Sequence, residues 1–118
     1  GHVSRAGRGA GQHRADVRAG VVTGRAVVVE RPEDFSSGIL VAYRTEPGWA
    51  AALPFASALL IERASPLTHV AIIARELGVP TVVQIDGLTE AIRTGMTISV
   101  DAAAGRVVVL EEQPPCDP

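Results

Sequence analysis

An α/β fold built around a mixed sheet is what the residue pattern predicts, on three observations. Short β-branched runs recur between turn residues from Gly20 onward; the segment Ser65 to Pro80 has the caps, stops and apolar spacing of a helix; and the elements follow as strand, helix, strand, helix, then strands. With 118 residues, 47% hydrophobic and 20% charged, the chain has the profile of one globular domain with its own core.

Residues 1–19 hold four Arg, several Gly and few large apolar groups, so this stretch is expected to be a tail or linker. The domain proper is expected over 20–110, with a C-terminal tail at 111–118. Val27, Val28 and Val29 end a first strand, Arg31-Pro32-Glu33-Asp34 turns the chain, and Gly38 to Tyr43 gives a second strand. Thr45 is a cap candidate for a helix through the Ala-rich stretch up to Pro54. Ser57 to Ile61 is apolar almost throughout and of strand length, as a buried parallel strand should be. The following helix has cap candidates at Ser65 and Thr68, Pro66 at a first-turn position, and Gly78 then Pro80 as a stop. Val70, Ile73, Ala74 and Leu77 mark its buried face by their i, i+3, i+4, i+7 spacing. A strand at Thr81 to Gln84, a short helix near Leu88 to Arg93, and two closing strands, Thr97 to Val100 and Arg106 to Leu110, complete the order.

Composition removes several function classes. All eleven basic residues are Arg, so the chain has no lysine for a Walker-type phosphate loop, a Schiff base or a grip on ATP phosphates. A net charge of −2 gives no electrostatic reason to expect nucleic acid or an anionic membrane as partner. The lone Cys116 offers neither a disulfide framework nor metal-ligand spacing. The longest weakly polar run, Trp49 to Ile61, is broken by Pro54 and Ser57 and falls short of the roughly 18 residues of a membrane span. The N-terminus lacks the apolar stretch of a secretory signal, so a cytoplasmic location is the expectation.

Of the three histidines, His2 and His13 lie in the polar N-terminal stretch and only His69 falls at a structured place, the first turn of the most legible helix. Backbone N–H groups and the positive end of the helix dipole meet there and favour a bound anion. An unperturbed imidazole is mostly neutral at pH 7 and is available as a nucleophile. A histidine at a helix start also serves as a capping or packed side chain, and both readings stand at this point. Ser57, Ser65, Asp86 and Asp101 show no nucleophile-elbow pattern, and no second ligand-type residue stands at metal spacing on the same helix face.

The stretch Ser65-Pro-Leu-Thr-His69-Val-Ala-Ile-Ile-Ala-Arg75-Glu-Leu-Gly-Val-Pro80-Thr-Val-Val closely resembles the phosphohistidine segment of PEP-utilising enzymes, the group of phosphoenolpyruvate synthase, pyruvate phosphate dikinase and rifampin phosphotransferase. Thr45-Glu46-Pro47-Gly48-Trp49 is similar to the T-D-P-x-W element of the synthase-like members. The strands before it and the layout from Asp86 to Leu110, with the Arg93-Thr94-Gly95 turn, are similar too, so the resemblance covers about residues 20–110.

The resemblance implies a swivelling β/β/α phosphohistidine domain acting as one component of a phosphotransferase. His69 would accept a phosphoryl group at an ATP-grasp nucleotide-binding domain and pass it to an acceptor-substrate domain, in cis or in trans, where pyruvate or another small molecule receives it. No cofactor is expected on this domain itself; Mg-ATP, or phosphoenolpyruvate, is bound by the partner domains. Thr68, where the family has Ser, Cys or Thr, either caps the helix or contacts the phosphoryl group. Arg75 matches the arginine that ends the motif. Six residues past His69, it is rotated about a third of a turn away and displaced about 9 Å along the axis, so a structural ion pair or a docking contact fits it better than direct phosphate contact. The chain departs from the pattern at Ala64-Ser65-Pro66-Leu67, where synthases and dikinases have Gly-Gly, a further residue and Thr. Leu67-Thr68-His69 is closer to the rifampin phosphotransferase branch. The altered loop leaves a second expectation, a swivelling-fold binding or regulatory module without phosphoryl transfer.

Overall fold

The computed structural model describes residues 2–5, 21–65 and 67–111. Among them, seven strands form one mixed sheet: β1 (His2–Arg5), β2 (Val21–Val28), β3 (Gly38–Ala42), β4 (Ala56–Ile61), β5 (Thr81–Val83), β6 (Thr97–Asp101) and β7 (Arg106–Glu111). Their order across the sheet is β1-β7-β6-β2-β3-β4-β5. β2, β3, β4 and β5 run parallel to one another, β6 is antiparallel to β2 and β7, and β1 is parallel to β7.

Strands β3 and β4 are buried on both faces, which is why they read as unbroken apolar runs. Ile39, Val41, Ala58 and Leu60 face one core. Leu40, Ala42, Leu59 and Ile61 face the other. Ile98 and Val100 of β6 and Val107 and Val109 of β7 join the first core together with Leu88 of α2 (Leu88–Ala91). The second core is closed by Val70 and Ala74 of α1 (His69–Glu76) and by Trp49, Ala52 and Leu53. The layers are therefore β/β/α, the expected architecture.

Three expectations are corrected. The N-terminal stretch expected to be a tail begins with β1, whose residues 2 to 5 pair with 106 to 109 of β7. Val3 packs against the core and the backbone ladder ties the strand to β7; with one large apolar residue in His2–Arg5, the hydrophobic pattern gave the strand no signal. The Ala-rich helix is a 3-10 helix, Pro47–Phe55, that runs through Pro54. Its cap position is Glu46, and Thr45 Oγ1 is buried with no hydrogen-bond partner among the described residues. Proline supplies no N–H for an α-type bond, and the tighter helix still buries Trp49 and Ala52 one 3-10 turn apart. The closing strand extends one residue past the expected end of the domain, to Glu111. The expectations for residues 6–20, Pro66 and 112–118, with His13 and Cys116, lie outside the described residues.

Candidate functional site

Because β2 to β5 are parallel, their C-terminal ends share one edge of the sheet, the edge where open α/β sheets bind ligands. The chain leaves β4 there at Ile61, crosses residues 62–68 and enters α1 with His69 as its first helical residue. His69 is exposed, while Val70 and Ala71 behind it are buried and anchor the helix. Gly78, at a φ of +81°, ends the helix as expected, with the Val79 N–H donating to Ala74 O at 2.9 Å and the Gly78 N–H to Arg75 O at 3.1 Å.

Thr68 holds the cap position by its backbone angles, but its hydroxyl makes no capping bond into the helix. Thr68 Oγ1 instead accepts from the Ser65 N–H at 3.0 Å, the Thr68 N–H donates to Ser65 O at 3.0 Å, and Ser65 Oγ accepts from the Leu67 N–H at 3.1 Å. The two cap candidates therefore tie the loop to itself, which corrects their assignment as helix caps. Serine and threonine compete for nearby backbone groups in this way wherever a tight turn brings them within reach. Leu67, two positions before His69, is 81% exposed, and Ile72, three positions after it, is 40% exposed. Arg75 lies in the last turn of α1 and lines a cavity with Gly78, Val79, Pro80, Thr81, Ala102 and Ala103, apart from the histidine loop.

Sequence reasoning missed the part played by Glu62. Its Oε1 accepts from the Thr89 N–H at 2.9 Å and the Thr89 hydroxyl at 2.8 Å, and its Oε2 accepts from the Gly87 N–H at 3.2 Å. Burial pushes the carboxyl pKa up, but the hydrogen bonds from Thr89 and Gly87 and the charge of Arg63 together outweigh it and hold the group below its ordinary value. Glu62, Arg63, Ala64, Gln84 and Asp86 line a cavity of about 530 Å³ at the sheet edge. Gln84 has a φ of +58° there, a left-handed conformation found at no other non-glycine among the described residues. No sequence signal marks Glu62, because its partners stand 25 and 27 positions downstream.

Among the described residues, no group of three or more His, Cys, Asp or Glu is placed to hold a metal ion. No helix among them is long and apolar enough to cross a membrane.

The family model for the PEP-utilising enzyme mobile domain matches residues 35–105. Phosphoenolpyruvate synthase of Helicobacter pylori is 41% identical over 78 residues, which are 65% of this chain and 10% of that protein. Rifampicin phosphotransferase of Bacillus cereus is 39% identical over 97 residues, covering 80% of this chain and 11% of that protein. A solution structure of Enzyme I shares the fold with a TM-score of 0.58 at 24% identity, over 68% of this chain and 34% of that one. The chain thus spans about a tenth of the length of these two relatives. On fold and sequence together, the chain belongs to the family of PEP-utilising enzyme mobile domains.

Proposed function

We propose that this domain carries a phosphoryl group on His69 between a nucleotide-binding partner and an acceptor. The observation that carries the reading is the placement of His69: exposed, first in α1, at the carboxyl edge of the parallel strands, with no side-chain cap bond into the helix behind it. The unprotonated imidazole nitrogen gives its lone pair to the terminal phosphorus of ATP; the N–P bond forms as the P–O bond breaks, with its electron pair leaving on ADP. The helix N-terminus then faces the dianionic group, and the Thr68 hydroxyl, which accepts from Ser65, still has its own proton to donate to a phosphoryl oxygen. In the second half, an acceptor oxygen attacks the phosphorus, the N–P bond breaks, and the imidazole recovers its lone pair.

The family membership supports this reading, as do relatives named as a synthase of phosphoenolpyruvate and a phosphotransferase. The ATP-grasp donor domain and the acceptor domain are part of the proposal. Leu67 and Ile72, exposed and close to His69 in sequence, suit transient contact with such partners, since exposed apolar side chains are covered when a domain docks.

The test is partner-dependent labelling. Supplied with Mg-ATP and its nucleotide-binding partner, the chain gains one phosphoryl group on His69, stable in alkali and lost in acid. His69→Ala abolishes the label and leaves the thermal midpoint within a few degrees, because an exposed side chain at a helix start contributes little to the core. Label retained on folded His69→Ala moves the chemistry elsewhere, and a parent chain that takes no label leaves the binding-module reading.

A further inference from the structure

The helix core fixes α1 only from its second residue onward, since Val70 is the first of its side chains to be buried. Where the imidazole of His69 stands relative to the sheet edge therefore depends on the loop before it. That loop has two anchors. At its far end, the Ser65 and Thr68 hydrogen bonds close a tight turn. At its start, the Glu62 N–H donates to Ala42 O at 2.9 Å and the Arg63 N–H to Tyr43 O at 2.8 Å, holding the backbone to the end of β3. The Glu62 carboxylate adds three donors from the α2 region, the Gly87 and Thr89 amides and the Thr89 hydroxyl. Only Arg63 and Ala64 separate the two anchors. A charged acceptor holding three donors is a stronger tether than a neutral one.

We infer that Glu62 is a positioning residue for phosphoryl transfer at His69: by binding Gly87 and Thr89 it locks the start of the 62–68 loop to α2, and so sets where the imidazole meets a docked donor. The role rests on the reading of His69 as the phosphoryl carrier. Glu62 touches no reacting atom in this role; it acts through the loop.

Glu62→Gln keeps the side chain's size but replaces one accepting oxygen with an NH2 group, so it cannot hold all three donors. Thr89→Val removes the hydroxyl donor and leaves both amides. Each variant of the full chain is compared with the parent in two labelling reactions, Mg-ATP with saturating nucleotide-binding partner, and free phosphoramidate, a small donor that needs no docked geometry. The expected result for Glu62→Gln is a partner-dependent rate lower by about tenfold or more, with the phosphoramidate rate at His69 within about twofold of the parent. Thr89→Val falls between the two. A parental partner-dependent rate in folded Glu62→Gln overturns the proposal, and so does a phosphoramidate rate that falls in step, because that would mean altered reactivity of the imidazole and not its position. Should Glu62→Gln fail to fold, a parental rate in Thr89→Val overturns it equally. If the parent itself is labelled by phosphoramidate but never by the partner, the carrier reading fails and this role falls with it, a pattern none of the other outcomes produces.

Discussion

His69 and Glu62 stand seven positions apart, one exposed at the start of α1 and one tied to the start of α2. The carboxyl of Glu62 is held below its ordinary value in the folded chain, so the ionised form is favoured by folding. Its contribution to stability is complete above the ordinary carboxylate range and is lost as pH falls through the lowered folded value. Urea midpoints measured from neutral pH down to about pH 3 should therefore fall more steeply for the parent than for Glu62→Gln, which has no proton to take up. Parallel acid slopes for the two proteins would show that the three hydrogen bonds add nothing selective for the ionised form. His69 was legible as a candidate, and the helix it begins as a helix, because the apolar residues Val70, Ile73 and Ala74 and the Gly78 and Pro80 stop are local signals, and the family resemblance runs through them. Glu62 was not, because a carboxylate after a strand gains meaning only when folding brings residues 87 and 89 to it. Thr68 was legible as a position, yet the direction of its hydroxyl depends on the loop turning Ser65 back toward it.

At the scale of elements, the start of β3 shows why one glycine cannot be exchanged. Gly38 has a φ of +108°, and a Cβ there would lie 2.9 Å from the Arg25 carbonyl oxygen and 3.2 Å from Val27 Cγ2. The pairing of β3 with β4 shifts register at this point, between Gly38 and Ile39. Gly38→Ala should cost about 2–4 kcal/mol from the left-handed backbone and the backbone clash together. Equilibrium unfolding in urea measures it, and a loss under about 0.5 kcal/mol would mean that β2 and β3 separate easily enough to admit a methyl group. The strands β3, β4, β6 and β7 were legible for a simple reason. Two-sided burial gives continuous apolar runs in β3 and β4, and one-sided burial gives alternation in β6, where Ile98 and Val100 are buried between less buried Thr97, Ser99 and Asp101. β1 escaped because an edge strand held by its backbone needs few apolar side chains, and the 3-10 helix escaped because an Ala-rich run favours α-helix by propensity until Pro54 intervenes.

For the whole molecule, the question is how much of phosphoryl transfer a domain of this kind performs unaided. The chain offers an exposed imidazole and a helix N-terminus, and on the proposed reading these would hold a phosphoryl group once it has arrived. Taking that group from ATP demands more, namely alignment of the triphosphate and neutralisation of charge that spreads over the γ-phosphate oxygens as the bond to the nucleotide breaks. Those tasks fall to lysines, arginines and a metal ion grouped around the phosphates. The chain has no lysine, and its net charge is −2. At the carboxyl edge, Arg63 shares its cavity with Glu62 and Asp86, while Arg44 shares another with Glu30, so neither cleft is a cationic cradle. Incubated alone with Mg-ATP, the purified chain should therefore neither release phosphate nor acquire label on His69. The measurement is phosphate release together with intact mass, run beside His69→Ala so that a contaminating kinase acting on other side chains is recognised. Label on the parent that is absent from His69→Ala, with no second protein present, would mean that this fold binds and orients the nucleotide itself, and the division of labour between donor domain and carrier would have to be abandoned.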